Sequence, residues 1–93
     1  MDIINAKIKY SFLGIDTDGA ACLQIVFEGK NGLNYFTDKI YTVEMPFIKD
    51  ILNTLEVRSW EELPRKFARI KLDGKRIIAI GNLIEDKWIE MRG

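Results

Sequence analysis

One stretch of this chain has helical periodicity, and strand-forming sequence lies on both sides of it. From Pro46 to Glu56, the residues Phe47, Ile48, Ile51, Leu52 and Leu55 recur at helical spacing, with Lys49, Asp50, Asn53 and Glu56 opposite them. Pro46 suits a first helical turn, where its missing N–H has no intrahelical partner to lose. A lone helix of about three turns cannot cover its own apolar stripe, so it must pack on a sheet.

The flanks supply that sheet. Residues 3–13 alternate, with Ile4, Ala6, Ile8, Tyr10 and Phe12 on one face and Asn5, Lys7, Lys9 and Ser11 on the other. Asp16-Thr17-Asp18-Gly19 is a turn. Residues 20–28 are apolar on both faces, as expected of a central strand. Gly29-Lys30-Asn31-Gly32 reads as a hairpin loop, because Asn-Gly and Gly accept positive φ cheaply. A third strand runs from about Leu33 to Val43, with a bulge or break at Asp38-Lys39. After the helix, Ser59-Trp60-Glu61-Glu62 has the form of a capping box, and Pro64 stops the short turn it starts.

Residues 66–72 and 75–81 then form a hairpin around Asp73-Gly74, the preferred type I′ pair. That loop sets Ile70 against Ile77 and Ala68 against Ala79 on the core side, and Lys71 against Arg76 on the other. The expected order is β-β-β-α-β-β in the α+β class. It fits a small five-stranded antiparallel curved sheet or an OB-like barrel, in which a helix lies between the third and fourth strands. With 93 residues, the chain is expected to be a single domain with one core.

Composition excludes several classes. No run of eighteen apolar residues occurs, and Met1-Asp2-Ile3 lacks the basic start and apolar block of a signal peptide. The lone cysteine, Cys22, rules out an internal disulfide framework and fits a reducing cytosol. Lys+Arg and Asp+Glu each number 14, so the chain is neutral overall. The balance is uneven: residues 1–57 carry a net −3, residues 58–76 a net +4, and residues 77–93 a net −1. A dedicated duplex-DNA binder would be basic overall.

The catalytic inventory is thin. There is no histidine, which removes the commonest general base, the Ser–His and Cys–His pairs and most zinc sites. Cys22 sits in an apolar strand and reads as packing. Asp16-Thr17-Asp18-Gly19 lacks the spacing of a calcium loop, since Ala20 and Ala21 fill the positions that need an oxygen ligand and a glycine. Glu61 and Glu62 are adjacent, point in different directions, and Glu62 has a capping role. No phosphate-binding glycine loop occurs. The expectation is a non-enzyme with no cofactor and no metal.

Binding residues are better represented. Arg69, Lys71 and Arg76 are expected to share one hairpin face, where an anion would relieve their repulsion; the plainer reading is a solvated face neutralised by Glu61, Glu62 or the tail acids. Tyr35, Phe36 and Tyr41, near Lys30 and Lys39, are placed where an OB-type barrel stacks bases; the plainer reading is core and edge packing. Trp60 is expected over the helix end. Trp88, with Lys87 beside it, either folds back as a cap or serves as an interface anchor.

Several blocks carry a resemblance. They are Asn5-Ala6-Lys7-Ile8, Pro46-Phe47-Ile48, Ser59-Trp60-Glu61-Glu62-Leu63, Lys66-Phe67-Ala68-Arg69-Ile70, Ile78-Ala79-Ile80-Gly81-Asn82 and Asp86-Lys87-Trp88. Over nearly its whole length the chain resembles a family of small bacteriophage and prophage proteins of unknown function. The Trp-Glu-x-Leu and Ile-Gly-Asn-x-x-x-Asp-Lys-Trp blocks are its specific parts. This chain departs from the family at Gly32-Leu33-Asn34-Tyr35-Phe36, where members carry a Gly-rich segment, and at Arg65, where they tend to have Gly.

The resemblance implies a phage accessory protein in the host bacterial cytoplasm. Three functional expectations follow. The first is a binder that antagonises a host defence system, by blocking a protein or nucleoprotein complex or by sequestering an anionic nucleotide. The second is a single-stranded nucleic-acid binder serving phage replication or recombination. The third is a structural homo-oligomer built on Trp88 and an exposed sheet edge.

Overall fold

A computed structural model describes residues 2–91 of the chain. It contains β1 (Asp2–Ile15), β2 (Ala21–Gly29), β3 (Asn34–Thr37), α1 (Met45–Leu55), a short 3-10 turn (Trp60–Glu62), β4 (Phe67–Asp73), β5 (Arg76–Gly81) and β6 (Trp88–Glu90). The sheet order is β3-β2-β1-β4-β5-β6, and β3 also pairs with β5. The first five strands therefore close into a barrel around Ile8, Leu23, Ile25, Phe27, Ile70, Ile77 and Ile80, all fully buried. No described helix is long and apolar enough to cross a membrane.

Closure corrects the antiparallel expectation. Four of the barrel's junctions are antiparallel, but β3 meets β5 in parallel through Phe36↔Arg76 and Thr37↔Ile77. The third strand is also shorter than expected. It breaks at Asp38-Lys39, where a break was anticipated, and touches the sheet again only at the bridge Leu23↔Ile40. Leaving β2 at that point frees the chain to reach α1.

The helix lies where its periodicity placed it. Pro46 occupies its first turn, and Ile51, Thr54 and Leu55 face the core against β5 and β6. Glu56 ends it in the left-handed region at φ 56. The Val57 N–H donates to the Leu52 carbonyl and the Glu56 N–H to that of Asn53, the Schellman pattern that glycine more often serves. At the following turn, Glu62 Oε2 accepts hydrogen bonds from the backbone N–H of Ser59 and Arg58 at 2.9 Å each. These supply the glutamate half of the expected capping box.

Two registers differ from expectation, and both matter for the surface. In β1 a bulge falls between Ile8 and Tyr10. Lys9 is the extra residue, so Tyr10 and Phe12 leave the face of Ile4, Ala6 and Ile8 and turn outward, 53% and 40% exposed. Arg65 and Lys66 hold the bulge through hydrogen bonds with the Ile8 carbonyl and N–H, each 2.8 Å.

In the β4–β5 hairpin the turn residues are Gly74 and Lys75, with Asp73 paired to Arg76. Gly74 alone has positive φ, +65, so the turn puts Gly first, as type II′ does, rather than Asp-Gly in type I′. Leu72 then pairs with Ile77, and a second bulge places Lys71 against Ala79 and Ile70 against Ile80. The expected pairs Ile70–Ile77, Ala68–Ala79 and Lys71–Arg76 do not form, although Ala68, Ile70, Ile77 and Ala79 are all buried.

The sheet also continues beyond Gly81, adding a sixth strand to the five expected. The chain turns through Asn82–Lys87 and returns as β6, pairing Gly81↔Trp88, Ile80↔Ile89 and Ala79↔Glu90. Buried Asn82 organises this return. Its Nδ2 donates to the Thr54 carbonyl (2.9 Å) and Glu56 Oε2 (2.8 Å), and its Oδ1 accepts from the N–H groups of Ile84 and Glu85. One side chain thus ties the end of α1 to the start of β6.

Candidate nucleic-acid interface

The Lys9 bulge creates the most distinctive surface of the molecule. Pairing across the sheet runs Tyr10↔Val26, Val26↔Phe36 and Phe36↔Arg76, a single row over β1, β2, β3 and β5. Residues opposite one another in a sheet project on the same side. The next row pairs Phe12 with Gln24, and the one after it Gly14 with Cys22. A methyl at Gly14 would lie 3.2 Å from the Phe12 ring, so the ring rests over the glycine.

Three aromatic rings therefore share this outer face: Tyr10 at 53%, Phe12 at 40% and Phe36 at 46% exposure. Tyr41 extends it toward the β1–β2 turn. It follows the buried bridge residue Ile40, is half exposed, and interacts with Asp16. Val26 and Cys22, between the rings, are buried on what is otherwise the outside of the barrel. Cys22 is a free, buried thiol at the floor of the patch.

The polar groups around the face are locally organised. Arg76 places Nη2 2.7 Å from Asp38 Oδ2, an exposed pair of the kind worth about 0.2–1 kcal/mol. Gln24 Nε2 donates to the Thr37 carbonyl at 3.0 Å, and the Phe36 N–H donates to the Lys75 carbonyl at 3.3 Å. Lys75 thus stands beside Phe36. Asp16 Oδ1 accepts from the N–H groups of Ala20 and Asp18, which hold its carboxyl below the usual range. The hydrogen bond with Asp16 raises the Tyr41 hydroxyl above its usual value. Lys39 adds a positive charge near the same carboxylate.

The expected binding residues are thus redistributed. Tyr35 is in the core at 8% exposure, opposite Phe27, and presents no ring to solvent. Its neighbour Phe36 holds the outward position, because the pleat alternates. Tyr41 and Lys39 lie near Asp16 at the β1–β2 turn, and Arg76 sits beside Phe36, joined to Asp38. Arg69 and Lys71 lie farther along the hairpin. They lie on the outer side of β4 under Trp88, whose ring centre is 4.8 Å from the Arg69 guanidinium carbon and 5.2 Å from Lys71 Nζ.

Arg69 also donates to the carbonyls of Asn82 (2.7 Å) and Glu85 (2.8 Å), so it clamps the turn into β6. Arg76 pairs with Asp73 across the hairpin and so lies on the same outer side as Arg69 and Lys71, but its side chain is engaged by Asp38, so each of the three cations already has a partner.

Trp88 is a half-buried cap. Its ring leans on Gly81, where a methyl would come within 2.7 Å, and its Nε1 donates to Asp86 Oδ1 at 3.1 Å. Lys87 reaches the Asn53 carbonyl (3.3 Å) and Glu85 (3.2 Å). Trp60 is partly buried and packs against the core. The Ile-Gly-Asn-x-x-x-Asp-Lys-Trp block is hence a structural unit, with a contact for each of its specific residues. Arg65 has a φ of 74, in the left-handed region that favours glycine.

A second concavity lies beside this face, where Lys7 pairs with Glu28 and Phe67 in the row next to Tyr10–Val26. A cleft of about 310 Å³ is bounded by Lys7, Glu28, Lys30, Phe67 and Leu83. It joins one of about 480 Å³ beside Glu56, Arg65 and Asn82. Asp16, Tyr41 and Glu62, whose pKa values are displaced, line neither cleft. No family model matches this chain, and neither the curated proteins nor the solved structures include a match to it.

Proposed function

We propose that this protein acts by binding, as an OB-like barrel that holds a single-stranded nucleic acid across the outer face of β1, β2 and β3. The observation that carries this reading is the row Tyr10–Val26–Phe36–Arg76, with Phe12 alongside. Three outward rings on a curved sheet, bordered by Arg76, Lys75 and Lys39, match what a flexible strand needs. Bases stack on rings regardless of sequence, and a few cations follow the phosphates. The strand order, with a helix between the third and fourth barrel strands and β3 parallel to β5, supports the OB-like assignment; that fold binds oligonucleotides on the face of its second and third strands. The absence of histidine from the sequence favours binding over catalysis. By the resemblance noted above, we place the protein among phage accessory proteins. The anion-sequestering form of defence antagonism is less favoured, because Arg69 and Lys71 are engaged by Trp88 and Arg76 by Asp38.

Fluorescence anisotropy with a labelled oligothymidylate tests the proposal. Stacking contributes about 1–3 kcal/mol per base, so Phe36→Ala or Tyr10→Ala should weaken binding by roughly five- to a hundredfold. With two or three phosphates contacted, the slope of log K against log salt should be shallow, about −2. Absence of binding at 20 mM salt and high micromolar protein, or equal affinity for the folded alanine variants, would reject it.

A further inference from the structure

The Lys9 bulge has another effect: it ends the pairing of β1 with β4. Beyond Ile8, β1 is bonded to β2 on one side only; among the described residues no strand pairs with its other edge from Lys9 to Ile15. Exposed edges are normally guarded by charges, proline or cover. This one has a single charge, Lys9, and no proline. Leu13 is 44% and Ile15 70% exposed on one face, with Tyr10 and Phe12 on the other.

The charges at its ends are of opposite sign. Lys9 stands at the start, and the turn Asp16-Thr17-Asp18 at the finish. We propose that a second copy of this chain pairs along this edge, antiparallel and about a two-fold axis. Antiparallel pairing puts Lys9 of each copy beside the acidic turn of the other, whereas parallel pairing would put like charges together. A two-fold axis perpendicular to the sheet makes the contact self-complementary and closed, so that the assembly stops at two.

The same operation keeps both outer faces on one side of the joined sheet. Tyr10 and Phe12 of the two copies then meet near the axis, with Phe36 of each copy flanking them. The dimer itself does not depend on the nucleic-acid reading. Its consequence for a ligand, one continuous aromatic strip, rests on that reading.

Analytical ultracentrifugation of the full chain between 5 and 200 µM tests the dimer without any ligand. A reversible monomer–dimer equilibrium is expected. Exposed charge pairs are worth about 0.2–1 kcal/mol each, so Lys9→Glu or Asp18→Lys, each placing like charges together twice per dimer, should weaken it about two- to thirtyfold. Mixing the two variants should restore heterodimers, because each altered residue then meets its complement. Leu13→Lys with Ile15→Lys, at exposed positions, should leave a folded monomer.

A protein that stays monomeric at 200 µM, even if it captures an added extended peptide, overturns the proposal. So does open-ended association, or a dimer unaffected by both lysine substitutions. Should the dimer form while oligothymidylate fails to bind, the inference stands and the functional reading falls.

Discussion

Replacing Gly81 by Ala probes the packing that holds β6 on the barrel. A methyl there would lie 2.7 Å from Cδ2 and Cε3 of Trp88 and 2.9 Å from Cε2. Carbon atoms rest at about 3.5–4.0 Å, so the ring has to move as a whole. Moving it weakens the contacts of Arg69 and Lys71 with its face, each worth about 0.5–1 kcal/mol at an exposed site. The hydrogen bond from Nε1 to Asp86 adds about 0.5–1.5 kcal/mol. Against this, alanine in a strand recovers about 0.5–1 kcal/mol relative to glycine.

The net expectation is a loss of about 1–2.5 kcal/mol, and a Tm lower by roughly 4–20 °C for a domain of this size. Thermal and urea unfolding followed by far-UV circular dichroism measure it. A double-mutant cycle with Trp88→Ala locates the cause. Once the ring is gone, Gly81→Ala should be neutral or slightly stabilising. A Gly81→Ala protein within about 0.3 kcal/mol of the parent would refute the reasoning, as would a cost that persists without the tryptophan.

Three further outcomes are expected. Asn82→Ala leaves the Thr54 carbonyl and the Ile84 and Glu85 N–H groups without their partner, and should destabilise by about 2–4 kcal/mol in urea unfolding. Arg65→Gly relieves a left-handed residue, and should gain up to about 1 kcal/mol after the extra freedom of the unfolded chain is counted. Glu62 and Asp16 both have folded pKa values below their ordinary 4.5 and 3.8, chiefly through backbone hydrogen bonds from Arg58 and Ala20. Their contribution is therefore complete above those ordinary values and is lost as pH falls through the lower, folded ones. Glu62→Gln should flatten the acid limb of the stability–pH curve, with little change in its shape above pH 6.

The elements were legible where local chemistry agrees with the fold. Ile51 and Leu55 mark the buried face of α1, the Asp16 turn carries its own side-chain acceptor, and Ile70 and Ile77 are core residues under either register. What was not legible turns on single residues. Nothing in the alternation of residues 3–13 announces that Lys9 is extra, yet that one bulge carries Tyr10 and Phe12 from the inside to the outside. Asp73-Gly74 and Gly74-Lys75 are both acceptable two-residue turns, and the choice between them moves every pair of the hairpin.

The tail shows the same limit. A charged run after Gly81 reads as an exit, but Asn82 supplies enough hydrogen bonds to reverse the chain into β6. The candidate site suffered most. Tyr35 and Phe36 are adjacent aromatics of which only one can face out, and the pairing of Phe27 with Tyr35 decides which. Charge on β4 suggested a ligand, whereas Arg69 and Lys71 serve the ring of Trp88.

The central claim is a location: ligand lies on the aromatic outer face. Nuclear magnetic resonance of the 15N-labelled protein, titrated with an eight-residue oligothymidylate, tests it directly. The account predicts amide shifts concentrated at Tyr10, Phe12, Gln24, Val26, Phe36 and Arg76. Shifts confined to the neighbouring clefts around Lys7, Lys30, Phe67 and Leu83 with none at Tyr10, Phe12 and Phe36, or no shifts at saturating oligonucleotide, would contradict it.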